Sequence, residues 1–295
     1  MVRIGTRKSK LALWQANEVK AILESEGYPC CLVHLESNGD QDLNQPLYAM
    51  GIQGVFTKTL DTALLNEKID IAVHSLKDVP TLLPKGINIK AVLSRGNPMD
   101  VLVYNPAFMG WETEASIGTG SLRRKAQWLR KNPKHQVENL RGNLQKRIEK
   151  LNNSNWSGAI FAQAGLDRLN LLQDNYEVLE WMIPAPSQGI IGIASLEKNK
   201  ELNAVLDKIN CAETSLCAQI ERSFLNTLEG GCTAPIGAHA YCIENTLYFK
   251  GGLFSLDGTI AIVHEENTPL ENTKEYGVKA AQKILNEGGK ELMKQ

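Results

Sequence analysis

Three groups of residues in this chain have the types and spacing for chemistry. The stretch VHSLKDVP, Val73 to Pro80, puts Ser75, Lys77 and Asp78 just past the end of the apolar run IDIAVHS. Such a run reads as a strand buried on both faces of a parallel sheet, and ligands in open α/β sheets bind at the carboxyl ends of the strands. A carboxylate there can handle protons or balance a cationic intermediate. An Asp before Val-Pro can equally well do no more than cap a turn.

The second group is basic. Between Gly118 and Lys150 there are ten Lys/Arg against two acidic residues, an excess of eight positive charges in a chain whose net charge is -1. SIGTGSLRRKAQ reads as strand, small-residue turn and helix start, so Thr119 and Ser121 lie where unpaired amides make an anion site. Arg123 and Arg124 fall in the first helical turn, where positive charge opposes the helix dipole, and a pair placed there needs a partner. Lys125, Arg130, Lys131 and Lys134 read as a solvated face. NLRGNLQKR repeats the pattern with Arg141 and Arg147, AGLDRL adds Arg168, and GTRKS adds Arg7 after the first strand. Guanidinium forks suit carboxylates. Nucleic acid is a poor fit, because no aromatics interleave the cluster and no helix-turn-helix or RNA-binding signature is present.

The third is LEGGCTAPIG, with Cys232 between a glycine pair and a proline. The six cysteines form no CxxC and no His/Cys grouping with zinc spacing. A chain of this length buries a core without disulfide staples. Cys232 is therefore packing or chemistry. A Cys232–His239 nucleophile and base is disfavoured, since Pro235 and Gly237 separate them and no regular element brings them together.

The elements that must position these groups follow from periodicity. VRIGT is a strand, and Ala12, Ala16, Val19 and Leu23 form one face of a helix capped by Ser9. CCLVHLE is a strand, Phe56, Leu60, Ala63 and Leu64 mark a helix, and IDIAVHS is the next strand. After the break at Gly96-Asn97-Pro98, a second α/β series runs through DVLVY, SIGT, HQVENL and GAIFA, with helices carrying Leu122, Ala126, Leu129 and then Leu144, Ile148, Leu151. IIGIASLE, past the break IPAPSQG, reads as a strand returning to the first sheet. Two lobes joined by two crossings close around a ligand. Beyond the helix Glu213–Leu228, which Gly230-Gly231 would end, AHAYCIE, TLYFKGGLF and TIAIVHE read as antiparallel strands. A last helix presents Val278, Ala281 and Leu285. At 295 residues, two or three domains are expected, and the composition is that of a globular protein. The amino terminus shows no apolar leader, and no run is long enough to span a membrane, so the expectation is a cytoplasmic protein.

In order along the chain, IGTRKSKLALWQA, GVFTKTLDTALL, DIAVHSLKDVPT, RGNPMDVLV, GTGSLRRKAQ, NLRGNLQKRIEKL, AGLDRL and ERSFLNTLEGGCTAPIGAHA together resemble the hydroxymethylbilane synthase, or porphobilinogen deaminase, family. The resemblance implies an α/β fold of two lobes like type II periplasmic binding proteins and a third, small α+β domain. The corresponding boundaries are 1–94 plus 188–208, 98–184, and 212–295. It implies a transferase that condenses four porphobilinogen molecules head to tail, losing ammonia each time, on a dipyrromethane primer. Water then releases the linear tetrapyrrole. Cys232 matches the cysteine that holds dipyrromethane as a thioether, and Asp78 the catalytic carboxylate. The match implies cofactor contacts from Ser75, Lys77, Asp78, Thr119, Ser121, Arg123, Arg124 and Arg147. It implies substrate contacts from Arg7, Gln15, Phe56, Arg141, Arg168, Gln188 and Gly189, with no metal and a monomeric state. The partner is porphobilinogen, with no nucleic acid and no membrane.

Some positions depart from the family pattern. Gln53 and Ala49 stand where lysines are common, Asn38 where Thr or Arg is, and Gly120 where Ser is usual. A non-catalytic solute receptor built from the same lobes is the rival reading; it has no use for a third domain bearing a cysteine loop. Cys232 follows a helix C-terminus, where the dipole disfavours a thiolate. That suits a thiol alkylated once better than a nucleophile that cycles at every turnover.

Overall fold

The computed structural model describes residues 1–36, 57–111, 114–172, 174–228 and 235–294. Cys232 and Phe56, with the departures at Asn38, Ala49 and Gln53, lie outside the described residues, as does the Gly230-Gly231 helix stop. The chain divides into two compact units: Met1–Asp42, Ile52–Gly96 and Gly189–Leu216 in the first, and chiefly Asn97–Gln188 and Cys217–Gln295 in the second.

In the first unit, β1 (Val2–Arg7), β2 (Cys30–Leu35), β3 (Ile71–Ser75), β4 (Ile87–Val92) and β10 (Ile191–Leu196) form one sheet in the order β2-β1-β3-β10-β4. β1 pairs in parallel with β2 and β3, while β10 runs antiparallel to β3 and β4. The late strand does return to the first sheet. Helix α1 (Lys10–Ser25) starts where Ser9 Oγ accepts a hydrogen bond from the Ala12 amide, and it buries Ala12, Ala16, Val19 and Leu23 as the 3.6 period requires. Helix α2 (Lys58–Leu65) packs Leu60, Ala63 and Leu64 with Ile69 and Ala72 of the β3 segment. Helix α6 (Lys200–Ile209), absent from the sequence reading, packs on β4, joins the core of the sheet through Leu202, Val205 and Leu206, and is capped by Asn199.

The second unit carries two sheets. The first, β7-β6-β8-β5-β9, combines β5 (Asp100–Tyr104), β6 (Ser116–Gly118), β7 (Gln136–Glu138), β8 (Gly158–Ala162) and β9 (Tyr176–Val178). β5 is antiparallel to both of its neighbours. Its strand order, with one antiparallel strand inserted beside the parallel set, matches that of the first sheet. Helices α3 (Leu122–Lys131), α4 (Leu144–Asn152) and α5 (Gln163–Arg168) follow β6, β7 and β8. The second sheet is an antiparallel meander of β11 (Ile236–Ile243), β12 (Thr246–Phe254) and β13 (Ala261–Pro269). Beside it lie the later part of α7 (Ala212–Leu228) and α8 (Tyr276–Ile284). The buried face of α8 is Tyr276, Gly277, Ala280, Ala281 and Ile284, rotated from the expected Val278–Ala281–Leu285 stripe. Gly277 explains the rotation: a Cβ there would lie 2.2 Å from the Ile220 carbonyl oxygen, so the small residue lets α8 lie directly on α7. Among the described residues no helix is long and apolar enough to cross a membrane.

His74 sits within β3, buried on the strand that leads to Asp78. Burial, with a smaller effect of the Arg7 charge, lowers its pKa from 6.5 to about 4. The unfolded chain takes up that proton below 6.5 while the native one does not until about 4, so stability is lost as pH falls through this interval. The full effect is up to about 3 kcal/mol. In urea titrations at pH 7 and pH 4.5, His74→Gln is expected to lose less stability on acidification than the parent. Equal losses would show that His74 is not the responsible group.

Candidate active site

In the first unit, β1 and β3 are parallel neighbours, so Arg7 and Ser75 lie at the same carboxyl edge. Past Ser75 the chain makes one short 3-10 turn, Leu76–Asp78. The Leu76 amide donates to the Ile190 carbonyl at 2.9 Å, which ties down the start of the turn, and the Val79 amide closes the turn on the Leu76 carbonyl at 3.1 Å. Leu76 is buried, Lys77 half-buried and Asp78 exposed. Gln15, on the inner face of α1 and 2% exposed, donates through Nε2 to Ser75 Oγ at 2.8 Å. That bond fixes Ser75 from behind. The carboxylate of Asp78 thus stands on a rigid turn with access to water.

In the second unit, the β6–α3 turn has the expected anion-site form. Thr119 Oγ1 accepts from the Ser121 amide at 3.3 Å, and Ser121 Oγ caps α3 by accepting from the Arg124 amide at 3.4 Å. At Gly120 a Cβ would fall 2.7 Å from the Leu140 carbonyl oxygen. The glycine therefore does more than omit a hydroxyl, because it lets the chain leaving β7 lie against this turn just ahead of Arg141. Arg141 is 4% exposed. Asn143 caps α4 by accepting from the Lys146 amide, and Arg147 Nε donates to the Gly142 carbonyl at 2.6 Å. Arg147 and Arg168 are half-buried.

Arg123 and Arg124 have the partner their position demanded, and it lies inside the protein. Both are 6% exposed and converge on Asp100, the fully buried first residue of β5. Arg123 Nη1 donates to Asp100 Oδ2 and to the Ile183 carbonyl, each at 2.7 Å. Arg124 Nε donates to Asp100 Oδ1 at 2.9 Å and its Nη1 to the Ile160 carbonyl at 2.9 Å. Gln188 Nε2 donates to the same Oδ1 at 2.9 Å and to the Pro98 carbonyl at 2.7 Å. Burial alone would raise the Asp100 carboxyl, but the two guanidinium groups hold it far below the usual carboxylate range. Asp100 is the site residue that sequence reasoning missed. Its signal was an aspartate at the head of the apolar run VLVY.

Two guanidinium groups face one carboxylate, so the buried cluster keeps one positive charge in excess. With the α3 amides and the Thr119 and Ser121 hydroxyls on the same element, it suits a carboxylate-bearing molecule. The matching strand orders of the two five-stranded sheets, with this cluster in the second, define an α/β protein with a place for carboxylate-bearing groups. Residues 2–204 match the family model described as porphobilinogen deaminase, dipyromethane cofactor binding domain, and residues 215–286 the model of the porphobilinogen deaminase C-terminal domain. Curated proteins named porphobilinogen deaminase from Citrifermentans bemidjiense and Geobacter sulfurreducens are each 37% identical over 99% of this chain and 93% of their own. The one from Chloroherpeton thalassium is 38% identical over 98% of this chain and 96% of its own. Among solved structures, the methionine-binding protein MetQ is similar over 70% of this chain and 88% of that one, with TM-score 0.46 and 12% identity, a level with no bearing on function. The chain belongs to the porphobilinogen deaminase family.

Dipyrromethane carries carboxylates, and the surplus positive charge with the hydroxyl-bearing turn fits such a group on charge and donor chemistry. Asp100→Asn would leave two buried guanidinium groups without their counter-charge, at a cost of about 3–5 kcal/mol. Urea unfolding at neutral pH checks this, and a loss under about 1 kcal/mol would remove Asp100 from its place as the balancing charge.

Proposed function

We propose that Asp78 is the catalytic carboxylate of this chain and Cys232 the covalent anchor of its dipyrromethane. The reaction is the hydroxymethylbilane synthase reaction of porphyrin and heme biosynthesis. Four porphobilinogen molecules are joined head to tail with loss of ammonia, and hydrolysis releases the linear tetrapyrrole hydroxymethylbilane. The observation that carries the assignment of Asp78 is its exposed carboxylate just past β3, on a closed turn tied to Ile190 at its start and backed by the Gln15–Ser75 bond.

Loss of ammonia from porphobilinogen leaves an electron-poor methylene carbon conjugated with the pyrrole N–H. A carboxylate beside that N–H accepts its hydrogen bond and offsets the positive charge as it develops. As the free α-carbon of the attacking pyrrole bonds to that methylene, the same group takes the proton this α-carbon loses. Ser75 and Lys77 flank Asp78 and serve as carboxylate contacts. Thr119, Ser121 and Arg147 contact the cofactor's acetate and propionate groups, and Arg123 and Arg124, committed to Asp100, bind it through the positive field they supply. Arg7, Gln15, Phe56, Arg141, Arg168, Gln188 and Gly189 serve incoming substrate, Gln15 through Ser75 and Gln188 through Asp100. When bound, dipyrromethane supplies the primer from which the chain grows. In this reading the domains are 1–94 plus 188–208, 98–184 and 212–295. The enzyme works as a cytoplasmic monomer on porphobilinogen, without a nucleic-acid or membrane partner.

Intact-mass measurement of purified protein tests the anchor. An excess equal to two linked pyrroles is expected, and Cys232→Ala is expected to lose it. A parent chain without that mass, and unable to acquire it from porphobilinogen, would sink the reading of Cys232. Asp78→Asn is expected to keep the added mass while turnover falls by about 10²-fold or more. Normal turnover in that variant would move the catalytic role elsewhere.

A further inference from the structure

Helix α7 and strand β11 are the two elements that flank Cys232, and they meet rung by rung. On α7, Cys217, Glu221, Phe224 and Leu228 form one buried face. Along β11 the alternate residues Ala238 and Ala240 are buried as well, with Cys242 next in the same alternation. Glu221 Oε1 accepts from the Ala240 amide at 2.7 Å. One helical turn earlier and two strand residues later, Cys217 Sγ lies 3.8 Å from Cys242 Sγ. The steps match, since the four helical residues between them rise about 6 Å and two strand residues span about 6.6 Å. The register that seats Glu221 on β11 therefore brings the two sulfurs together. Both residues are thiols, Cys217 buried and Cys242 half-buried.

We propose that Cys217 and Cys242 form a thiol–disulfide pair that reacts with small disulfides such as oxidised glutathione and closes the α7–β11 unit at the end away from Cys232. Cys242, the more exposed thiol, attacks the glutathione disulfide as its thiolate, and one glutathione leaves as a thiol. Cys217 then displaces the second glutathione from Cys242. The protein gives up two hydrogens, glutathione disulfide becomes two glutathione thiols, and one S–S bond replaces another. The sulfurs need only close from contact at 3.8 Å to bonding distance. The two residues are 25 positions apart, so the bond closes a loop long enough to restrict the unfolded chain, with Cys232 inside it. This inference stands whether or not Cys232 carries the cofactor.

The test uses the full-length purified protein incubated with oxidised glutathione, then digested without reduction and mapped by mass. The expected result is an intact mass lower by two hydrogens, a Cys217–Cys242 linked peptide, and a thermal midpoint several degrees higher that dithiothreitol reverses. Cys242→Ser is expected to show neither the mass loss nor the shift. It replaces a half-buried thiol, so it stays informative if Cys217→Ser fails to fold. Glutathione retained on Cys242 with no linked peptide would overturn the proposal. So would a link to a different cysteine, or an unchanged or lowered midpoint.

Discussion

Asp100 is a carboxylate with no contact with water, placed at the head of a strand and gripped by two arginines of one helical turn. Desolvating three ionised groups costs several kcal/mol each, and their attraction recovers it only with good geometry and further hydrogen bonds. Here those bonds come from the backbone of Ile160 and Ile183 and from the side chain of Gln188. The start of β5, the first turn of α3, the middle of β8 and the 183–188 segment are consequently held at one point. Positive charge at a helix N-terminus is unfavourable on its own, and the buried carboxylate is what makes α3 tolerable with arginines in its first turn. The residual positive charge then remains beside the hydroxyl-bearing turn, where an anion can use it.

The same 183–188 segment is held from a second side. Ser187, with φ +63°, donates its amide to Glu221 Oε2 at 2.5 Å, and the Ala238 amide donates to the Pro184 carbonyl at 3.0 Å. A left-handed non-glycine residue costs about 1–3 kcal/mol and persists only where its surroundings fix it. Glu221 fixes it, and through Ala240 ties it to β11, the strand that follows Cys232. The anion cluster and the element leading out of the cysteine segment therefore share one support.

The alternation of strand and helix in the first lobe, and the late return of IIGIASLE to its sheet, were legible because apolar periodicity is a local signal. Ser9 and Ser121 were legible as helix starts for the same reason. Helix α6 was not read although its signal is local: Leu202, Val205, Leu206 and Ile209 fall at the i, i+3, i+4, i+7 spacing of one helical face, with Asn199 as the cap. The rotation of α8 depends on how closely Gly277 approaches α7, a tertiary quantity. Arg123 and Arg124 were legible as a pair in need of a partner, but Asp100 lies 23 positions away, beyond anything local spacing can report. The position of Asp78 just past a buried strand was readable; its exposure and the closed turn beneath it were not.

The arginines of the second unit fall into two physical kinds, and the difference matters for a substrate that gains carboxylates as it grows. Arg123 and Arg124 are almost dry and already committed to Asp100, so moving either guanidinium would expose the other charges to an uncompensated interior. They supply a fixed field. Arg147 and Arg168 keep part of their surface in water, so exchanging water for a carboxylate changes their solvation little, and each can release one carboxylate and take another at small cost. Arg7, half-buried at the edge of β1, is of the second kind in the first unit. Burial in one case and partial solvation in the other therefore give the same side chain two physical characters, a charge fixed by an internal carboxylate and a charge that water still shares.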